Sequence, residues 1–315
     1  MTVKTMKVIS LVFGVAFVFL LIFSAPAQAF ILNLAIQNQY IELGKSTTFN
    51  VSTEVENGEN LKIDKFIIEI SGPTIISCEF LPDGTLLNGC EGISVDVVSS
   101  GNLSQGNNGN QTTGETPVQI DYGYGYEAGY GYGYEYGYDY SYYYGKGLLS
   151  YNITFNSMEY PRGIYNTEFI MIIEGKEYKK SGKALFIYDK DGLKGCSIRA
   201  QRGEIEESIS KGNYTGVRNR LSFNIPLKNA ATGQGTLTSQ NSDNRLNYDF
   251  EVLGVLEGDE TYSKILVKGV YRINRLDKTT DELSVIYLDK KAKKLTLTGK
   301  GITATDMKVS FMNKC

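Results

Sequence analysis

The chain has 315 residues, 42% of them hydrophobic, with 32 basic residues against 35 acidic ones and no histidine or tryptophan. The absence of histidine excludes Ser-His-Asp and Cys-His nucleophilic machinery and the usual histidine-based zinc sites. The formal net charge is -3, and the basic residues of the C-terminal half are interleaved with acidic ones rather than clustered, so they do not identify a nucleic-acid binder.

The first 29 residues have the three-part layout of a secretory signal peptide. Lys4 and Lys7 precede an apolar run, and a small-residue stretch with an A-x-A cleavage pattern ends at Ala29. We therefore expect a mature chain that begins at Phe30 and is extracellular or at the cell surface. The alternative is an uncleaved membrane anchor, because the apolar run approaches the ~20 residues that span a bilayer as a helix. The soluble part would then still lie outside.

From Phe30 onward, short stretches of alternating apolar and polar residues are separated by Gly, Asn and Asp, which is typical of strands. The pattern predicts an all-β protein whose N-terminal domain, 30–190, is an Ig-like sandwich. Its predicted strands cover 46–55, 63–70, 93–98, 149–155, 167–174 and 183–188.

Several segments of this domain resemble Ig-like or fibronectin-like repeats of archaeal and bacterial cell-surface proteins. The run TTFNVSTEV, the run KIDKFIIEISGP and the block PRGIYNTEFIMIIEG followed by KALFIY are similar to the B, C, F and G strands of those repeats. The Gly163-Ile164-Tyr165 element at the start of a strand is the most suggestive part. The resemblance implies an Ig-like fold in a surface setting and assigns no catalytic residue.

The strand pattern stops between residues 99 and 146. The first part of this segment is rich in Gly, Asn, Ser and Thr, a composition that buries too little apolar area to offset its ordering entropy. The second part, 122–145, alternates Tyr with Gly and holds twelve of the 23 tyrosines. We predict a disordered insertion, which looks similar to Tyr-Gly tracts of exported proteins in small-genome archaea.

A linker is predicted at 189–195, and strand patterns then resume at 220–225, 235–238, 247–256, 262–273, 282–288, 294–298 and 307–311. Short turns between these strands predict a second antiparallel β domain over 196–315, either a sandwich or a small barrel. Charge also differs between the halves, with 11 basic and 21 acidic residues in 30–195 but 19 and 14 in 196–315. This asymmetry indicates two domains with different surfaces.

Four cysteines, an even number in an exported chain, favour disulfides over free thiols. Three pairings are possible. We prefer Cys78 with Cys90, which flank a turn-like Pro-Asp-Gly, and Cys196 with Cys315, which bracket the C-terminal domain. The sequence has no C-x-x-C pair that would suggest a metal site, and we expect no metal and no cofactor.

Two kinds of surface site are predicted. Candidate glycosylation sites are the N-x-[ST] sequons at Asn50, Asn102, Asn110, Asn152 and Asn213. The candidate binding residues are those of the tyrosine tract, because tyrosine stacks on sugar rings and hydrogen-bonds at its rim, and closely spaced copies make many weak contacts. They are Tyr122, Tyr124, Tyr126, Tyr130, Tyr132, Tyr134, Tyr136, Tyr138 and Tyr140. A solvated spacer is the alternative interpretation of the tract.

Together these features predict an exported cell-surface or secreted protein that is not an enzyme and is adhesive or structural at the cell envelope. Its expected partners are envelope polysaccharide or other surface proteins, without nucleic acid, and a membrane only through an uncleaved N-terminal segment. The alternative is an exported carbohydrate-active enzyme or a carbohydrate-binding accessory protein. The enzyme requires a compact pair of carboxyls in a pocket.

Overall fold

The computed structural model describes residues 30–55, 61–100, 147–208, 218–226, 233–240, 244–277 and 282–315, and the backbone of short strands at 103–104, 142–144 and 212–213. These residues form strands, with two short 3-10 turns at Ser157–Glu159 and Asp191–Leu193, so the all-β prediction is confirmed. Across the same residues, no helix has the length and apolar character needed to cross a bilayer. The predicted signal peptide, 1–29, lies outside them.

Strands of the first half build two facing sheets. They are β1 (Phe30–Ile36), β2 (Tyr40–Glu42), β3 (Ser46–Val55), β4 (Leu61–Ser71), β5 (Ile75–Phe80), β6 (Leu86–Asn88), β7 (Ile93–Ser100), β8 (Leu103–Ser104), β9 (Tyr142–Tyr144), β10 (Gly147–Asn156), β11 (Gly163–Ile173), β12 (Lys176–Ser181) and β13 (Leu185–Tyr188).

The order of these strands is that of an Ig-like sandwich. One sheet runs β1-β3-β10-β7 and the other runs β2-β13-β11-β4-β5-β6, with β12 paired to β11 and β9 to β4. All pairs are antiparallel except β2 with β13. The segments predicted as B, C, F and G are β3, β4, β11 and β13, and they occupy the sheet positions that those letters denote.

An aromatic cluster fills the centre of the sandwich, in a chain that has no tryptophan. Phe66 of β4 packs against Phe169, Tyr151 and Phe80 with ring centroids 5.3–5.5 Å apart. All four side chains are buried. Phe66 thus lies on strand C, where antibody domains place a tryptophan against their disulfide.

Two buried tyrosines fasten loops onto this core. The Tyr165 hydroxyl donates to the Pro161 carbonyl, 2.6 Å away and four residues upstream, which is the tyrosine corner of Ig-like folds. The Tyr151 hydroxyl donates to the buried Pro82 carbonyl at 2.7 Å. The Gly163-Ile164-Tyr165 element therefore has a structural role at the start of β11.

The prediction of an irregular insertion at 99–146 is wrong at both ends, where the structure has strands. β7 continues to Ser100, β8 pairs with β9, and β9 pairs with the start of β4. The physical reason at β9 is local sequence: three consecutive tyrosines, 142–144, lack the intervening glycines that weaken a strand. The tyrosines at 122–140 lie outside the described residues.

The second half forms a closed barrel. Its strands are β14 (Ser197–Gln201), β15 (Glu204–Glu207), β16 (Gly212–Asn213), β17 (Arg220–Asn224), β18 (Gly233–Gln240), β19 (Arg245–Gly258), β20 (Tyr262–Ile273), β21 (Leu276–Asp277), β22 (Glu282–Asp289), β23 (Lys294–Gly299) and β24 (Ile302–Asn313). Eight of them pair in the closed order β14-β17-β18-β19-β20-β22-β23-β24, and β14 also pairs with β24. The open choice between sandwich and barrel is thereby decided.

The two disulfides follow the spacing argument. Cys78 of β5 is bonded to Cys90, just after β6, and Cys196 is bonded to Cys315. The second bond joins the residue before β14 to the end of the chain after β24, so it lies at the strand pair that closes the barrel. Disulfides of this kind are characteristic of an oxidising, extracytoplasmic environment.

The segment predicted as a linker, 189–195, is packed rather than a free tether. Asp189 and Val255 exchange two backbone hydrogen bonds of 2.8 and 2.9 Å, and Leu193 is buried in the barrel core. Gly254 permits this approach, because a Cβ there would lie 2.4 Å from the Asp189 carbonyl oxygen. The β13–β19 contact therefore joins the two domains directly.

Removing the hydroxyl of Tyr151 should lower the free energy of unfolding more than removing the hydroxyl of Tyr165. Tyr151→Phe leaves the buried Pro82 carbonyl without its donor and should lower the free energy of unfolding by about 2 kcal/mol. Tyr165→Phe should cost only about 1 kcal/mol, because Pro161 is exposed and water can replace the hydroxyl. Urea titration of both variants checks this order, with Tyr178→Phe as the half-buried control; equal losses would contradict it.

Loss of the barrel disulfide should destabilise more than loss of the sandwich disulfide. In the chain-entropy model, the double variant Cys196→Ser with Cys315→Ser loses about 5 kcal/mol, and Cys78→Ser with Cys90→Ser about 3 kcal/mol. Guanidinium unfolding of each double variant measures its free energy of unfolding. Limited proteolysis shows whether the N-terminal or the C-terminal domain has unfolded. A larger loss of stability from removing the Cys78–Cys90 bond would contradict the loop-length argument.

Candidate functional site

An open trough crosses the outer wall of the barrel over β14, β17, β18 and β19. Alternation within these strands turns one set of side chains inward and the other outward. The inward set at the level of the trough is Ile198, Phe223, Gly235 and Phe250. The trough has a volume of about 830 Å³ and is wide open to solvent.

Sheet register aligns the outward side chains in two rows that run across the strands. Ridge A consists of Ser197, Asn224, Gln234 and Glu251, which are successive cross-strand partners. Ridge B consists of Arg199, Ser222, Thr236 and Asp249, which are partners in the same way. The rows are two residues apart along each strand, so they are separated by about 7 Å. All eight side chains are polar.

The floor of the trough is backbone, because the residues between the ridges point into the barrel. Gly235 lies between Phe223 and Phe250, and a Cβ at this glycine would be 2.4 Å from the Phe250 ring and 2.6 Å from Phe223 Cβ. Glycine is therefore required by the packing of two aromatic rings inside. The interior is full at this level, and the free volume lies outside.

Charges are concentrated on opposite strands of the trough. Arg199 on β14 carries the positive charge, while Asp249 and Glu251 on β19 carry the negative charges. The Arg272 guanidinium donates to the Asp249 carboxylate at 2.6 Å. The Arg199 guanidinium lies 5.9 Å from the centroid of the Phe311 ring, its direct partner on β24. Phe311 is 49% exposed and continues ridge B as an aromatic surface.

Ridge A ends close to the N-terminal domain. Glu251 pairs across the sheet with Lys268, whose ammonium donates to the Tyr40 hydroxyl at 2.7 Å and lies 5.0 Å from the ring centroid. Burial, and then the charges of Glu42 and Glu251, raise the pKa of the Tyr188 hydroxyl. A ligand in the trough would therefore lie next to both domains.

A second polar cluster is buried at another part of the barrel. Glu207 and Glu282 are 2% and 9% exposed, and the Tyr271 hydroxyl lies beside them. The Gly301 amide donates to the Glu282 carboxylate at 2.6 Å, and the Tyr248 hydroxyl donates to Ser284 at 3.2 Å. These contacts are internal to the fold and connect β15, β19, β20 and β22 with the β23–β24 turn.

None of the predicted glycosylation sites or binding tyrosines is among the residues that line the trough. Asn50 is exposed and Asn152 half-buried, and they are direct partners on the outer face of β3 and β10. Asn102, Asn110 and the side chain of Asn213 lie outside the described residues, as do the candidate binding tyrosines from Tyr122 to Tyr140. The trough residues were not anticipated from the sequence.

In the part of the chain that is described, no group of three or more Cys, Asp or Glu side chains is arranged to hold a metal ion. Asp189 and Asp191 belong to a capped turn: the Asp189 carboxylate accepts from the Asp191 amide at 2.9 Å and from Arg162 at 3.2 Å. The Asp189 carboxylate thus holds the turn before the barrel in place.

No protein-family model matches this chain, and no curated protein matches it in sequence. Among solved structures, it is similar to the crystal structure of Spo0M, a sporulation control protein from Bacillus subtilis. The two are 8% identical, with a TM-score of 0.29, over 84% of this chain and 92% of the other. A likeness at this level carries no argument about function.

The buried tyrosines predict a loss of stability at alkaline pH. Burial raises the pKa of Tyr165, Tyr248 and Tyr271 to about 12, with nearby carboxylates adding to the shift for the last two. Unfolded tyrosines release their protons near pH ~10. Between these values the unfolded state binds fewer protons than the native state, so the free energy of unfolding falls as pH rises.

Thermal unfolding at a series of pH values from 8 to 12, followed together with tyrosinate absorbance, measures this effect. We expect a constant midpoint below about pH 10 and a progressive decrease above it. Ionisation of all tyrosines near pH 10 in the folded protein would contradict the assignment.

Proposed function

We propose that the protein is exported and acts at the cell surface or outside the cell as a non-enzymatic, adhesive or structural component of the envelope. The observation that carries this proposal is the trough, which is polar, shallow and open. Such a surface holds an extended partner, whereas catalysis generally uses a site that excludes water. The two disulfides support an extracytoplasmic setting.

The Ig-like sandwich supports the same proposal. Its outer face carries the sequons Asn50 and Asn152, and attached glycans would project from strands β3 and β10 into solvent. We retain the tyrosine tract as the adhesive segment and envelope polysaccharide or other surface proteins as its partners. We propose no nucleic-acid partner, because Arg199 is the one basic side chain among the residues that line the trough.

A carbohydrate-binding accessory protein is a second candidate, and the trough favours it over a carbohydrate-active enzyme. A glycosidase needs one carboxyl in a water-poor setting to serve as acid. The Asp249 side chain is 52% exposed and is paired with Arg272. The carboxyls of the trough therefore suit hydrogen bonding to a ligand.

Localisation in the native host tests the export proposal. We expect the protein in the envelope or culture-medium fraction, with its N-terminus at Phe30 and with all four cysteines oxidised in a non-reducing peptide map. Recovery from the cytosol, with residues 1–29 attached and free thiols, would refute it.

The adhesive role of the tyrosine tract can be tested without disturbing the sheet. Because 142–144 pair with β4, the informative variant changes only the nine predicted binding tyrosines, Tyr122 to Tyr140, to serine. Binding of the purified protein to intact host cells should decrease while the thermal midpoint stays constant. Deletion of 105–119, which contains no tyrosine, is the matched control. Undiminished binding by the serine variant would refute the tract as an adhesive segment.

A further inference from the structure

We infer that the trough between ridges A and B is a binding site for a neutral saccharide chain. This inference deepens the proposed adhesive function by giving it a second site, on the barrel wall, and a ligand class. It depends on four observations. They are the hydrogen-bonding groups of the ridges, the exposed Phe311 ring beside Arg199 on the neighbouring strand, the lack of a free edge on the four strands of the trough, and the open shape of the trough.

The ridges offer donors and acceptors side by side. Each sugar hydroxyl both donates and accepts, so a saccharide is best matched by groups that present both functions at close spacing. Asn224 and Gln234 are neighbours on ridge A, and each amide presents an oxygen acceptor and an NH₂ donor. Arg199 on one side and Glu251 on the other add stronger, charge-assisted hydrogen bonds.

The aromatic ring of Phe311 supplies the apolar contact that a sugar ring requires. The C–H face of a pyranose is apolar and packs against aromatic faces, while its hydroxyls point outward to polar groups. Phe311 stands at the β14 end of ridge B, half exposed, with the Arg199 guanidinium near its ring. An exposed phenylalanine beside a row of polar side chains is the arrangement that such a ligand needs.

Other ligand classes fit poorly. Strand addition of a peptide needs a free sheet edge, but all four strands of the trough have partners on both sides in the closed barrel. Nucleic acid and acidic polymers are held by rows of basic side chains, whereas Arg199 is the one basic residue among those that line the trough. An apolar ligand would desolvate eight polar side chains without replacing their hydrogen bonds.

The open shape indicates a chain rather than a single sugar. A small ligand gains affinity from a pocket that encloses most of its surface, whereas the trough contacts only one side of its occupant. A polymer compensates through contacts repeated along its length. Lying between ridges about 7 Å apart, it would cross five strands from Phe311 on β24 to Glu251 on β19.

Affinity electrophoresis of the purified, oxidised protein tests the inference. Native gels containing dextran, mannan or xylan serve as the neutral probes, and gels containing polygalacturonate serve as the acidic comparison. We expect retardation by at least one neutral polysaccharide and none by polygalacturonate. Migration unaffected by all three neutral probes, or retardation by polygalacturonate alone, would overturn the inference.

Two variants locate the binding site. Arg199→Ala and the pair Asn224→Ala with Gln234→Ala should each weaken binding by about tenfold or more, because they remove several hydrogen bonds to the ligand. Arg245→Ala is the matched control: it removes an exposed arginine at the start of β19, outside the trough, and should bind like the unmodified protein. If the trough variants were retarded as strongly as Arg245→Ala, the assignment of the binding site to the trough would be wrong.

Phe311 provides an independent check. Phe311→Ala should lose affinity while Phe311→Tyr keeps it, because only the second retains the ring. All these side chains are outward-facing, and circular dichroism with a thermal midpoint verifies that each variant is folded. The gels use purified protein, so a lack of saccharide binding would not affect the result of the localisation experiment. Equally, a cytosolic location of the native protein would not affect saccharide binding in the gels.

Discussion

Closure of the barrel through β14 is the constraint on which the rest of the C-terminal domain depends. This strand has only five residues, Ser197–Gln201, yet it pairs with β17 on one side and β24 on the other. Without it, β17 and the part of β24 from Lys308 to Asn313 would be exposed sheet edges, which promote aggregation. The Cys196–Cys315 bond holds the two ends of the domain at this seam. A short strand thus gains its position from covalent and cross-strand contacts rather than from its own sequence.

The trough also depends on the pairing of β14 with its neighbours. β14 supplies Ser197 to ridge A and Arg199 to ridge B, and only the β14–β24 pairing brings Phe311 opposite Arg199. A bulge in that pairing, between Arg199 and Ala200, lets an apolar residue of β24 face outward. The same hydrogen-bonded seam therefore closes the core and completes the polar surface outside it.

The contact between the domains imposes a second constraint on β19. This strand alternates buried and exposed residues until Glu251, and then remains buried from Val252 to Leu256. Two bulges shift its faces, so that Val252 and Val255 point into the barrel while Leu253 and Leu256 pack against Tyr40, Phe186 and Tyr188. The continuous apolar run in the sequence reflects burial on both sides.

Sequence patterns predicted most of the strands but not how they combine. β3 and β20 have the predicted bounds, because β3 alternates throughout and β20 is rich in apolar and β-branched residues between polar turns. β14 was missed, since SIRAQ holds too few apolar residues to stand out. The trough was missed for a different reason: alternation alone turns Ser222, Thr236 and Asp249 outward, but only the register aligns them in one row. Register depends on pairings between distant segments, which one sequence does not display.

The chemistry of the trough argues for holding a ligand rather than cleaving it. Asp249 and Glu251 lie two residues apart on one strand and face the same side of the sheet, as a pair of glycosidase carboxyls could. Spacing alone is insufficient, because such enzymes enclose the scissile bond and keep their acid in a water-poor environment. Here the wall is open, and Asp249 is engaged by Arg272. The carboxyls that are buried, Glu207 and Glu282, are packed with Tyr271 and Gly301 instead of lining the trough. The most deeply buried carboxyls of the barrel therefore lie away from the trough, which agrees with the proposed binding role.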